Sequence, residues 1–477
     1  MSDILTDFDF VIIFAYFAVL IGVGVFSSRR IKSKSDFLVA GKRLGYGLYV
    51  PAMSAVVLGG ASTFGSTALG YQYGISGMWL VGMIGLGILG MGIFFSKKLS
   101  DLNVFSVSEL LATRFGKSSR LYSALIMAVY DMMVAVVAII AMGEMFSSMF
   151  HWNKVISIII GGAIVIFYTM LGGMWAVTLT DVIQFWVMTI GLLLILLPLS
   201  IFHAGGIESA VHHLKPGALD VTRIGGKAVF SYFLLYFFGM MIGQDVWQRA
   251  FTSKNKSVMR NGTVMAGLYC IIYGIAGAVI GMMASLLLPH LHDPQKALPD
   301  LILNILPTGL IGLVIAAIAS AIMSTASGTI MASSTIIVND FILPFRKSKT
   351  GDLKEVKLVR LMNLIVGAVA ILIAAALQNV VDALNVAYAL LTGSILLPVI
   401  AALFWKSVSK KVIMASMVIS SLIVVLDLII EGISSLNPII YGLISGIIVM
   451  IIGVLFVKKD VKEDAIQEAN VQDKKIM

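Results

Sequence analysis

Apolar residues gather into long runs at 8–28, 46–70, 76–96, 121–150, 155–171, 178–202, 229–250, 261–288, 308–336, 358–377, 380–404, 412–430 and 437–457. None shows the period-two alternation of a half-buried strand, and all are too long for one, so each predicts a helix. About 20 apolar residues cross a bilayer, and only helices or closed barrels satisfy their backbone groups there. The pattern therefore predicts an all-α integral membrane protein with about thirteen transmembrane helices. An odd number of crossings puts the two ends on opposite sides.

Composition agrees: 59% of residues are hydrophobic and 12% charged, with a net charge of +9. That excludes an ordinary soluble enzyme, a disordered chain and a secreted disulfide scaffold. The location of the positive charge decides its meaning. Placing the N-terminus outside puts 29 of the 34 lysines and arginines in inner segments or at inner helix ends, leaving Lys154, Lys215, Arg223, Lys227 and Lys296 outside. Basic residues mark the cytoplasmic side, so the N-terminus is expected out and the C-terminus in. Orientation accounts for the charge, and no nucleic-acid partner is implied.

The polar stretch 458–477 reads as a mobile cytoplasmic tail. The connections are too short for separate domains, so residues 1–457 read as a single membrane domain. The first run lacks a cleavage pattern and reads as a retained helix. Cys270 is the one cysteine, so no intrachain disulfide forms. No phosphate-cradling glycine motif occurs, which argues against ATP-driven pumping. The histidines fall at outer positions without a matching ligand set, so metal chemistry and enzyme activity are not expected. No obligatory protein partner is evident, and membrane lipid is the expected surrounding.

Transporters place ion sites where a membrane helix is interrupted, because unwound backbone frees carbonyls for a cation. Gly59 and Gly60 sit in the middle of the second run, with Ser62 and Thr63 just beyond. In the seventh, Gly243 is followed by Gln244, Asp245, Val246, Trp247, Gln248 and Arg249. Both places are expected helix breaks. They open two blocks of five helices, 46–202 and 229–404, and an odd block length makes the second inverted relative to the first. A plainer reading is that the glycines only permit close packing.

The ninth run contains Ala321, Ser324 and Thr325 at i, i+3 and i+4, on one helix face. The Ala321 carbonyl and the two hydroxyls offer three oxygens to a hard cation, and a broken facing helix would supply more. Alternatively the hydroxyls bond back to their own helix. Among acids within the runs, Asp131, Asp181 and Asp245 are functional candidates by cost alone. Asp181 also reads as a helix N-cap, and Glu144 as an acid near an outer helix end within reach of water.

The sequence resembles the sodium/solute symporter family from about Phe8 to Val457. The stretches that carry the likeness are Asp36 to Arg43, Gly172-Gly173 through Gln184, Gln244 to Arg249, and Ala321 to Ser327. The resemblance implies a leading helix (8–28), two inverted five-helix repeats (46–202 and 229–404) and two trailing helices within 412–457. It implies sodium as the coupling ion and a small organic solute as cargo. It maps the main sodium site onto Val56, Gly59, Ala321, Ser324 and Thr325, with Val57 and Gly60 as the alternative register. In members with a second sodium the matching positions are Gly60, Thr63, Asp181, Ser327 and Gly328. The two glycines lack hydroxyls, leaving Thr63, Asp181 and Ser327 as a second sodium site or an ion path. Val134 stands where sialic-acid members have arginine.

The expected function is sodium-coupled import by alternating access in a cell membrane, multi-pass, of the bacterial inner-membrane type. Solute binding is expected between the second and seventh runs, near Ser62, Phe64, Gln244, Asp245 and Trp247. One sodium moving down 100 mV and a tenfold gradient yields roughly 3.7 kcal/mol, enough for roughly 500-fold accumulation of a neutral solute. The alternatives are proton coupling through Asp131 or Asp181 and, more remotely, a passive channel.

Overall fold

The computed structural model describes residues 5–28, 34–100, 104, 106–150, 152–170, 173–345, 352–405 and 408–456. The tail 458–477, Gly172 and several basic residues that set the expected orientation (Arg29, Arg30, Lys32, Arg346, Lys347, Lys349, Lys406) lie outside the described residues. Regular structure among the described residues is helical, apart from one isolated bridge between Leu44 and Ser253.

The main helices are α1 (Asp7–Ser28), α2 (Tyr46–Val57), α3 (Ser66–Tyr73), α4 (Trp79–Gly90), α5 (Lys117–Phe150) and α6 (Lys154–Met170). They are followed by α7 (Gly173–His203), α8 (Gly226–Ile242), α9 (Gln244–Ala250) and α10 (Val258–Leu287). The last five are α11 (Leu310–Ile336), α12 (Asp352–Leu377), α13 (Val380–Phe404), α14 (Lys410–Ile430) and α15 (Pro438–Phe456).

Among the described residues ten helical runs are long and apolar enough to cross a membrane, or eleven if the bent pair α8–α9 counts as one. The shortfall from about thirteen has local causes. The second expected span is interrupted after α2, which leaves a helix of only 12 residues. The continuous run Ala61–Leu99 passes as one span of 39 residues, yet the chain reverses within it. Gly74 (φ 70°, ψ −145°) ends α3, a conformation that favours glycine. Beyond the turn α4 runs against α10, with Gly85 facing Gly267 and Gly274 facing Val81. Before it α3 runs alongside α10, with Gly277 against Ser66 and the Tyr71 hydroxyl donating to the Leu288 carbonyl at 2.7 Å.

The centre of the bundle is α11, with 89% of its apolar window enclosed, whereas α1 has 22% enclosed. Small residues along α11 (Ala316, Ala317, Ala319, Ser320, Ala321) let neighbours approach closely, the usual device where lipid supplies no hydrophobic drive between helices. The peripheral α1 is tied in by Asp9, whose carboxylate accepts from the backbone N–H groups of Gly309 (2.8 Å) and Gly312 (2.7 Å) at the start of α11.

Three stretches distant in sequence converge at one side of α11. Phe37 packs on Gly173, whose φ of 55° and missing side chain make the space. Gln248 Nε2 donates to the Leu38 carbonyl at 3.0 Å. Arg249 pairs with Asp181 at 3.1 Å.

Candidate functional site

The break between α2 and α3 falls at Leu58 (φ −94°, ψ 56°), one residue before the two glycines. Pro51 inside α2 removes one backbone donor from the same segment. Beyond the break a π-helical turn, Ala61–Gly65, leads into α3. The glycines also serve close packing. A Cβ on Gly59 would lie 2.4 Å from Thr325 Oγ1, and one on Gly60 would lie 2.2 Å from the Ala141 methyl. Interruption and tight approach thus coexist, because the broken end must lie directly against α11.

At that contact the Thr325 hydroxyl donates to the Val56 carbonyl at 2.7 Å. The Ser324 hydroxyl reaches two carbonyls, Ala55 at 2.8 Å and Ala321 at 3.0 Å. Val56, Ala321, Ser324 and Thr325 therefore meet, joined by Ala55, which the sequence pattern did not single out. In this structure the carbonyl that Thr325 meets is that of Val56 and not that of Val57. The Gly59 carbonyl accepts from the Thr63 N–H and hydroxyl, both at 3.0 Å. All these donors are oxygen, four of the five residues contribute through carbonyl or hydroxyl groups in direct contact, and Ser324 is fully buried. An uncharged, oxygen-only set suits a hard monovalent cation better than a transition metal. Among the described residues no group of three or more His, Cys, Asp or Glu could hold a metal ion.

The remaining ion-path residues separate. The Thr63 hydroxyl faces the Tyr273 hydroxyl on α10 at 2.8 Å. Ser327 bonds back to the Ser324 carbonyl at 3.2 Å. Asp181 is no N-cap: α7 begins at Gly173, so Asp181 lies well inside it, fully buried and paired with Arg249. Arg249 corrects the charge reading, since it is not an inner-loop cation but 1% exposed, at the end of α9. Gly328 on α11 makes room for it, because a Cβ there would lie 2.6 Å from the guanidinium. Position next to a helix break was the signal that could have flagged this arginine. Glu144 is likewise enclosed, 2% exposed, and pairs with Lys154 at 2.7 Å rather than facing water.

The second break is at Gly243 (φ −59°, ψ 132°), where α8 and α9 bend by 42°. Gly243 leaves space for the Asp245 carboxylate and the Tyr130 hydroxyl, at 2.8 Å and 3.1 Å from where its Cβ would be. The two breaks face a shared cavity whose walls include Val56, Gly59, Thr325, Ser62, Asp245 and Tyr388. The Tyr130 hydroxyl donates to Tyr388 at 3.0 Å and lies 3.4 Å from Asp245 Oδ1.

Of the five residues expected near the solute, Ser62 and Asp245 line this cavity. The others are engaged elsewhere. Gln244 Oε1 accepts from the Val107 N–H at 2.8 Å. Trp247 Nε1 donates to the Met241 carbonyl at 2.8 Å, and Phe64 lies in the packed core.

A family model described as the sodium:solute symporter family matches residues 37–420. The chain is 27% identical over 459 residues to the high-affinity proline transporter PutP of Bacillus subtilis, covering 91% of this chain and 94% of that one. It is 26% identical over 484 residues to sodium/proline symporter 2 of Staphylococcus saprophyticus, covering 95% and 93%. Among solved structures it resembles a Na+-coupled sialic acid symporter in a substrate-bound outward-open state, with a TM-score of 0.83, 21% identity and coverage of 95% and 99%. It also resembles Mhp1, a nucleobase-cation-symport-1 family transporter, with a TM-score of 0.58, 14% identity and coverage of 90% and 95%.

Proposed function

The chain belongs to the sodium:solute symporter family, and from that premise we propose that it imports a small organic solute by alternating access, with sodium held between α2 and α11. It is a membrane transporter and not an enzyme, and its coupling ion is sodium. The observation that carries the proposal is the meeting of the broken end of α2 with the hydroxyls of Ser324 and Thr325. Bound there, sodium would bridge two elements that separate when the bundle rocks. Val56, Gly59, Ala321, Ser324 and Thr325 are the residues that would hold it, with Ala55 beside them. The cavity next to this contact takes the solute, with Ser62 and Asp245 in its wall. Relatives named as proline transporters make a small amino-acid-like cargo the first to try.

The proposed architecture is one membrane domain, 1–457, with a leading helix, inverted repeats at 46–202 and 229–404, and two trailing helices. Counting each broken pair as one span, dividing the run at Gly74 and adding the shorter α6 supports thirteen crossings, and the bias of basic residues supports N-terminus out and C-terminus in. Thr63, Asp181 and Ser327 mark an ion path rather than a complete second site, because Arg249 already occupies Asp181. A bacterial inner membrane is the proposed location, given the bacterial relatives.

Proteoliposomes test coupling directly. Uptake should require an inward sodium gradient and exceed equilibrium; sodium-independent or merely equilibrating flux would overturn the proposal. Topology has its own check. In a Cys270→Ala background, an impermeant thiol reagent applied from outside should label Leu219→Cys and spare Lys256→Cys, both positions being exposed.

A further inference from the structure

The central region holds an excess of buried carboxylate. Among the described residues, buried acids elsewhere have partners: Asp9 accepts two backbone N–H groups, Glu144 pairs with Lys154, Asp340 with Arg120 and Asp36 with Arg43. Near the two helix breaks stand Asp131, Asp181 and Asp245, each at most 1% exposed, and one cation, Arg249. Arg249 pairs with Asp181 through one nitrogen, and its single charge is near all three acids, so it cannot balance them. Neither carboxylate oxygen of Asp131 has a hydrogen-bond partner. Asp245 has only the long 3.4 Å contact with the Tyr130 hydroxyl from a side chain, and it alone of the three lines the cavity.

No lysine, arginine or histidine is among the residues lining that cavity. Apart from the hydroxyls of Ser62 and Thr325, its other walls are largely apolar or aromatic, including Ile84, Val134, Met240 and Tyr388. A desolvated carboxylate facing a largely apolar chamber is costly unless it takes up a proton or meets a countercharge on whatever enters. The sodium proposed between α2 and α11 is bound by neutral oxygens and sits at another edge of the chamber. A neutral sugar or a dicarboxylate would leave Asp245 unpaired or repelled.

We propose that the transported solute carries a positively charged nitrogen, protonated or quaternary, that pairs with Asp245, while its aliphatic part packs against Met240, Ile84 and Val134. Tyr388 contributes an aromatic ring beside the carboxylate, a combination that favours alkylated ammonium groups. The solute is therefore an amine, a zwitterionic amino acid or a betaine-like compound. This rests on the reading of the chain as a sodium-coupled importer.

The test uses the purified full chain in sodium chloride and a panel of amino acids, methylamines, quaternary amines, sugars and carboxylates, read by thermal shift and then by uptake. Matched pairs isolate the charge: L-proline against tetrahydro-2-furoic acid, and choline against 3,3-dimethyl-1-butanol. Stabilisation is expected only from nitrogen-bearing members. Asp245→Asn should weaken their binding about tenfold or more, and Asp245→Glu should restore part of it. The Asp245→Asn protein is judged folded by its elution profile and by its shift with sodium alone. Equal binding of an isostere lacking the charged nitrogen, unchanged affinity in Asp245→Asn, or uptake of a sugar or dicarboxylate instead would overturn the proposal. Charge-selective binding with no sodium dependence would leave it standing and overturn sodium coupling.

Discussion

The carboxylate of Asp181 and the guanidinium of Arg249 meet at 3.1 Å inside the bundle, each at most 1% exposed. A buried pair of this kind contributes little against an apolar replacement, but breaking one side leaves a bare charge. Arg249→Met should therefore lower stability by about 3–5 kcal/mol, seen as reduced yield and a lower unfolding midpoint in detergent. Combining it with Asp181→Asn should recover most of that loss. An Arg249→Met protein as stable as the parent would show that Asp181 finds charge compensation elsewhere.

The hydroxyls of Ser324 and Thr325 are expected to hold sodium. Replacing either by alanine removes one oxygen, and a net loss of about 1.4 kcal/mol raises the sodium concentration for half-maximal uptake about tenfold. Thr325→Ser keeps the hydroxyl and should stay near the parent value. Unchanged sodium dependence in both alanine variants would dismiss the site.

Gly59 tests the close approach separately from ion ligation. A methyl group there would overlap Thr325, with its Cβ 2.7 Å and its Oγ1 2.4 Å away. Overpacking of this order costs about 1–3 kcal/mol, so Gly59→Ala should destabilise the protein and impair uptake. Thr325→Ser in the same chain removes the methyl but not the hydroxyl, and should give only partial relief. If Gly59→Ala is neutral, the broken end does not lie as tightly on α11 as described.

Asp9 anchors α1 through two backbone N–H groups at the start of α11. Asp9→Ala leaves both donors buried without an acceptor, at about 1–3 kcal/mol each when fully enclosed. The expected result is a lower midpoint with little change in sodium dependence, because the sodium residues lie further along α11. A large change in sodium dependence would mean that α1 takes part in the transport cycle.

Much of this was legible in the chain. Long apolar runs, both helix breaks and the Ala321–Ser324–Thr325 face follow from spacing and from the backbone chemistry of glycine, since lipid admits few alternatives to a helix. What misled was the setting of single charges. Arg249 looked like one more inner basic residue, and Asp181 like a cap, because charge in sequence carries no record of burial or partner. The place of Gln244 and Trp247 beside a break predicts that they face a solute, yet helical geometry turns them to Val107 and Met241.

The sequence by itself determined that this protein lives in a membrane, is helical and interrupts its helices near Gly59–Gly60 and Gly243, because solvation of the backbone in lipid is a local demand. Only the tertiary structure decided which oxygens meet across α2 and α11, which acid Arg249 neutralises, and that Asp245 alone of the central acids faces the cavity. Those outcomes depend on how helices far apart in sequence rotate and pack against each other, and that is settled by the fit of many side chains at once.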